Sequence, residues 1–185
     1  MSYEQHFGLS SQPFSNAADS KFFYESDQHQ EAMLRVEHSV STMKGLAVVI
    51  GGAGAGKTLL ARRVLEKLEA KPDEYEAALL VIVHSEVSAV WLLKKIASQF
   101  GVPNPADRKA DLLPQLFERL GAIHEAGKKA VVIIDEANML KSKEIFEEFR
   151  GLSNLEVPGC KLISIVLFGL PDLEQNMAVD PPLVQ

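Results

Sequence analysis

The chain has 185 residues, 46% hydrophobic and 24% charged, with a net charge of -6. That length supports one domain with a buried core, and the acidic balance argues against indiscriminate binding to nucleic acid or anionic membrane. The one cysteine, Cys160, excludes an internal disulfide and fits a reducing compartment. The apolar runs, such as Ala77 to Val83 and Ala130 to Ile134, fall far short of the roughly 18 residues of a spanning helix. "MSYEQHFGLS" has neither the basic start nor the apolar stretch of a signal peptide, so the expected location is cytoplasmic.

In chain order, residues 1–27 are irregular and aromatic-rich, with Phe7, Pro13, Phe14, Phe22, Phe23 and Tyr24. So many large apolar groups are expected to pack on the domain. Ala32, Met33, Val36, Val40 and Met43 then recur at helical spacing, and Gly45 is expected to close that helix. "LAVVI" (46–50) reads as a strand buried on both faces. A helix over 57–70 and a turn at "KPDE" lead to a second buried strand, "ALLVIVH" (78–84). An amphipathic helix over 87–100 ends at Gly101 and Pro103. A further helix covers 107–126, with Asp107 or Asp111 near its start. "AVVII" (130–134) is a third buried strand, 142–152 a charged helix, "KLISIVLF" (161–168) a fourth strand, and a short helix begins near Pro171. Strands alternating with helices predict an α/β fold, a parallel sheet with helices on both faces. Right-handed crossovers bring the strand C-termini to one edge, where ligands bind.

At that edge the first strand runs into "GGAGAGKT", which fits G-x-x-x-x-G-K-[ST] as Gly51, four residues, Gly56, Lys57 and Thr58. Glycines allow positive φ and let backbone approach a phosphate. Successive N–H groups make an anion nest, and the following helix adds its unpaired amides and dipole. Gly51, Gly52, Ala53, Gly54, Ala55, Gly56, Lys57, Thr58 and Leu59 are therefore the candidate nucleotide-binding residues. Lys57 supplies charge to the β- and γ-phosphates, and the Thr58 hydroxyl is a ligand for Mg²⁺. The third strand ends at Asp135, a second candidate Mg²⁺ ligand. Glu136, next to it, suits a general base that orients or deprotonates water. A bare binding module has little use for the second carboxylate, so the pair favours hydrolysis of ATP over binding alone.

The phosphate loop, the Asp-Glu pair and the strand between them resemble the additional-strand P-loop ATPases, which include the AAA+ proteins. "HFGLSSQPFSNAADSKFFYESDQHQEAMLRVEHSV", "VVIIDEANML" and "IVLFGLPDLEQNM" are more specifically similar to the general secretion pathway A (ExeA-like) family, and transposon target-selection ATPases share much of the pattern. The resemblance implies a five-stranded parallel sheet followed by a helical lid, with adenine near the N-terminal segment. It also implies Mg²⁺ at Thr58 and Asp135, and a catalytic glutamate at Glu136. Members carry a polar sensor near the end of the fourth core strand, often a Gln before a Pro; this chain has Gly169 and Leu170 there. They continue past the position of Gln185 with an arginine-containing segment, a fifth strand and the lid. Residues 1–185 are thus expected to be a single nucleotide-binding core without its lid. Arginine fingers contribute about 10³ to 10⁵ in rate, so slow turnover is expected of the piece alone.

Tyr24 and His29 match the family's aromatic and histidine positions near the nucleotide, with packing and helix-start bonding as the plainer reading. His84 is read as structural, Trp91, Leu92 and Ile96 as core, and Arg62 and Arg63 as a solvated face. "KSKEIFEEF" is read as a solvated helix, with a subunit contact as its alternative. Ser164 is polar and lies in the middle of the fourth strand, where a buried side chain bonded to backbone is as ready a reading as a sensor. The histidines and cysteine show no metal-ligand spacing. The expected function is an oligomeric, Mg²⁺-dependent ATPase serving a secretion or cell-envelope assembly, associated with the inner membrane in its full-length form. The alternatives are a DNA-associated transposition-type regulator, which the acidic charge disfavours, and a nucleotide-gated switch with little hydrolysis.

Overall fold

The strands β1 (Leu46–Ile50), β2 (Tyr75–Val81), β3 (Lys129–Asp135) and β6 (Ile163–Gly169) form one parallel sheet in a computed structural model that describes residues 3–10 and 23–179. Their order is β1–β6–β3–β2. Between β3 and β6, β4 (Glu156–Val157) and β5 (Cys160–Lys161) make a small antiparallel hairpin. The helices are α1 (Tyr3–Phe7), α2 (Asp27–Ser41), α3 (Lys57–Glu69), α4 (Ala89–Gln99), α5 (Lys109–Glu125), α6 (Lys143–Ser153) and α7 (Asp172–Met177). The α/β class, the parallel sheet and the helices on both faces agree with the sequence reading. The resemblance implies five strands; four parallel strands lie among the described residues.

The alternation of side chains along each strand sorts the core into two layers. Val131 and Ile133 of β3, with Val166 and Phe168 of β6, face Met33, Val36 and Val40 of α2 and Leu60, Ala61 and Val64 of α3. Val132 and Ile134, with Ile163, Ile165 and Leu167, face Leu92, Leu93 and Ile96 of α4, Leu112, Leu116 and Leu120 of α5, and Phe146 and Phe149 of α6. Every residue from Ala130 to Asp135 is buried, as is all of β6. Full burial of such a side chain is worth about 1.5–3 kcal/mol, so the two central strands fix the register of the rest.

Several boundaries move for identifiable reasons. The second strand lies at 75–81 rather than 78–84, because parallel pairing with β3 begins at Tyr75 opposite Lys129 and ends at Val81 opposite Asp135. Val83 and His84 fall beyond the sheet edge, exposed. The first long helix stops at Ser41 instead of running to Gly45: the Thr42 hydroxyl donates to the His38 carbonyl at 2.7 Å, and Met43 turns to φ +50°. α4 starts where the Ser88 side chain accepts the Trp91 amide. Asp107 caps no helix; it pairs with Lys94 on α4 at 2.5 Å, which lowers its carboxyl below the usual range. The helix read as solvated buries Ile145, Phe146, Glu148, Phe149 and Leu152, with Glu148 bonded to Lys109, so one face of α6 is core. Of the N-terminal aromatics, Phe23 packs against the α2–α3 layer, whereas Phe7 and Tyr24 are 69% and 83% exposed and α1 buries no residue. The expected packing of residues 1–27 is thus corrected to Phe23 among those described; Pro13, Phe14 and Phe22 lie outside the described residues.

Ser164 is fully buried, but its hydroxyl has no hydrogen-bond partner. An unsatisfied buried polar group costs about 1–3 kcal/mol. Ser164→Ala should therefore leave unfolding free energy unchanged or raise it by about 1 kcal/mol; a clear loss in urea titration would show that the hydroxyl is bonded.

Candidate functional site

The Gly-rich loop leaves β1 at Ile50, and the Gly51 amide continues the ladder to the Gly169 carbonyl at 3.2 Å. Gly54 and Gly56 adopt φ of +75° and +77°, a region in which a side chain is strained. Gly56 is also the N-cap of α3, with no side-chain cap of its own, so the first amides of α3 remain available at the loop. Lys57 folds back and its Nζ donates to the Gly52 carbonyl at 2.8 Å; the Ala55 amide reaches the same oxygen at 3.3 Å. Two donors suited to phosphate thus share the Gly52 carbonyl as their acceptor.

The third strand delivers the carboxylates. Ile50 stands opposite Gly169 and Ile134 opposite Leu167, which sets the end of β3 one strand away from the end of β1. Asp135 is 1% exposed, its Oδ1 accepts the Glu136 amide at 2.9 Å, and no ion pair among the described residues engages it. A buried carboxylate without a cationic side chain suits a bound cation. Among the described residues no group of three or more His, Cys, Asp or Glu side chains gathers to hold a metal, so an ion would draw on the Asp135 carboxylate, the Thr58 hydroxyl, and phosphate or water oxygens.

Glu136 takes a left-handed backbone conformation, φ +57°. Such strain costs about 1–3 kcal/mol and is typical of functional turns. Here it brings Glu136 to a cleft of about 380 Å³ shared with Ala53, Gly54, Gly56, Lys57, Thr58, Leu59 and Leu170. The cleft therefore joins the lysine, the threonine and the glutamate of the sequence reading. Gly51, Gly52, Ala55 and Asp135 adjoin it in the chain without lining it. Hollows of about 530 Å³ beside Cys160 and 570 Å³ between α2 and α3 are larger, but neither has a glycine nest.

Residues 40–177 match the AAA domain family. The chain belongs to that family. It is 36% identical over 176 residues to general secretion pathway protein A of Aeromonas hydrophila, an alignment covering 95% of this chain and 31% of that protein. The chain thus spans about a third of the length of the curated relative it matches. Its fold is similar to that of Cdc6p from Pyrobaculum aerophilum, with a TM-score of 0.67 at 19% identity over 92% of this chain and 45% of that one. The ORC2 protein of Aeropyrum pernix, in ADPNP and ADP complexes, gives 0.64 at 19% identity, over 92% and 48%. Among the described residues of this AAA domain no helix is long and apolar enough to cross a membrane.

In this AAA domain Leu170 occupies the cleft where the resemblance implies a polar sensor. The polar group at that edge comes from the short 3-10 turn that follows β3: Asn138 is buried, and its Oδ1 accepts the Leu170 amide at 3.0 Å. The Asn176 side chain of α7 donates to the Asn138 and Leu140 carbonyls at 3.0 and 3.1 Å. Gly169 is required between them, because a Cβ there would meet Leu173 at 2.8 Å and the Asn138 amide at 3.1 Å. The sequence reading missed this clasp. "DEAN" and "EQNM" each hold an asparagine, but nothing local pairs them. Of the other candidates, Leu92 and Ile96 are core, while Trp91 is half-buried with the His84 ring tilted against it, 5.8 Å between centroids. Arg62 and Arg63 lie on the exposed face of α3. Asn138→Ala strands the Leu170 amide and should cost about 1–3 kcal/mol of stability, readable as a lower chemical-denaturation midpoint.

Proposed function

We propose that this AAA domain is a Mg²⁺-dependent ATPase, with residues 1–185 acting as one nucleotide-binding core. The observation that carries the reading is the single cleft shared by the glycine loop, Lys57, Thr58 and Glu136. ATP lays its phosphates against the loop amides and the start of α3. Lys57 exchanges the Gly52 carbonyl for the β- and γ-phosphate oxygens, which carry more charge than a carbonyl. Thr58 and Asp135 would hold Mg²⁺, which would supply positive charge to neutralise the phosphates. Glu136 orients a water and takes its proton as the water oxygen bonds to the γ-phosphorus. The bond from that phosphorus to the bridging oxygen breaks, and ADP leaves with the electron pair.

The kinship with general secretion pathway protein A supports work in a secretion or envelope assembly, by an oligomer on the cytoplasmic side of the inner membrane. An arginine supplied by a neighbouring subunit would complete the site, so an isolated subunit turns over slowly. The adjacent Glu136 favours hydrolysis over a bare nucleotide switch, and the net charge of -6 weighs against a DNA-bound role.

Lys57→Ala should abolish ATP and ADP binding in calorimetry. Glu136→Gln should keep ATP affinity and lower single-turnover hydrolysis by about 10²- to 10⁴-fold; hydrolysis at the wild-type rate would remove Glu136 from the role.

A further inference from the structure

The Ala55–Gly56 peptide is a part of the loop able to turn over. Its C-terminal member is a glycine at φ +77°, and glycine takes φ of either sign readily. Turning it would exchange an N–H for a C=O at the phosphate position, replacing a donor by a repelling oxygen. One side chain opposes this. His29 of α2, 26 residues upstream, places its Nε2 at 2.9 Å from the Ala55 carbonyl oxygen. A carbonyl only accepts, so Nε2 carries the hydrogen. In the tautomer with its hydrogen on Nε2, Nδ1 accepts the Ser26 hydroxyl, at 2.7 Å. Phe23 meets the ring edge to face at 4.9 Å between centroids, fixing its plane. Gly56 leaves room for the ring: a Cβ there would lie 3.0 Å from Nε2.

In a trans peptide the C=O and the following N–H point in opposite directions, and no peptide bond described here is cis. A bond to the Ala55 oxygen from the His29 side therefore aims the Gly56 amide away from His29. Gly56 lines the cleft with Lys57 and Thr58. We propose that His29 is a positioning residue that locks the Ala55–Gly56 peptide with its amide toward the phosphates, with Ser26 fixing the tautomer that does so. The proposal rests on the nucleotide-binding reading and adds to it a contact from outside the phosphate motif. It makes the start of α2 part of the phosphate site, so anything that moves α2 changes nucleotide affinity.

The test is displacement of a fluorescent ADP analogue by ADP and by inorganic tripolyphosphate, in the wild-type chain and in Lys57→Ala, His29→Ala, His29→Gln and Ser26→Ala. His29→Ala should weaken ADP and tripolyphosphate alike, each about tenfold, the worth of one well-made hydrogen bond. His29→Gln restores an N–H donor and should recover most of the loss; Ser26→Ala should show a smaller loss on both ligands. Wild-type affinities in His29→Ala would overturn the proposal. A loss confined to ADP would also overturn it, since the imidazole would then be acting on the base. A His29→Gln variant no better than His29→Ala would overturn it too. If His29→Ala does not fold, Ser26→Ala decides: weaker binding of both ligands supports the lock, unchanged binding overturns it. If the wild type binds no better than Lys57→Ala, it is the nucleotide reading that has failed, not the role of His29.

Discussion

The burial of β3 on both faces, between β6 and β2, is the constraint on which the rest depends. A strand with Ala130 to Asp135 all buried has one register in which its apolar side chains meet both helical layers, since a slip of one residue exchanges the two faces. That register carries Asp135 to the C-terminal edge of the sheet, one strand away from the end of β1. Neither the glycine loop nor the Asp-Glu pair makes a site alone. The hydrophobic pairing of strands distant in sequence brings the loop and Glu136 to one cleft, with Asp135 next to it in the chain.

Around that edge the polar groups are satisfied locally in ways that a ligand can exchange. Lys57 and the Ala55 amide both use the Gly52 carbonyl, an acceptor weaker than a phosphate oxygen. Asp135 instead takes the next residue's amide, which favours the left-handed turn that delivers Glu136. The strain at Glu136 is held by the buried strand before it and the short 3-10 turn after it. The clasp of Asn138, Leu170 and Asn176 then ties the ends of β3 and β6 to α7. The backbone around the cleft is thus held by the protein's own hydrogen bonds, which lowers the ordering cost of binding.

The AAA domain spans 31% of the secretion-pathway relative and under half of each archaeal Cdc6 or ORC chain it resembles. The shared part takes in 92% of this chain. At 19% identity that likeness speaks for fold alone, and function has to be argued from the site.

The sequence by itself determined what is local. The phosphate loop, the Asp-Glu pair, the strand runs and most helix spans are written in contiguous residues, because glycine freedom, apolar runs and helical periodicity act over a few positions. Tertiary structure decided what depends on distant partners. The second strand begins at Tyr75 because Lys129 stands opposite it, and Ile145, Phe146 and Phe149 make core of a helix that reads as charged. His29 reaches Ala55 across 26 residues and Asn138 reaches Leu170 across 32. A hydrogen bond between segments far apart leaves no periodic mark in either one. It exists only once the core has fixed both backbones within about 3 Å of each other.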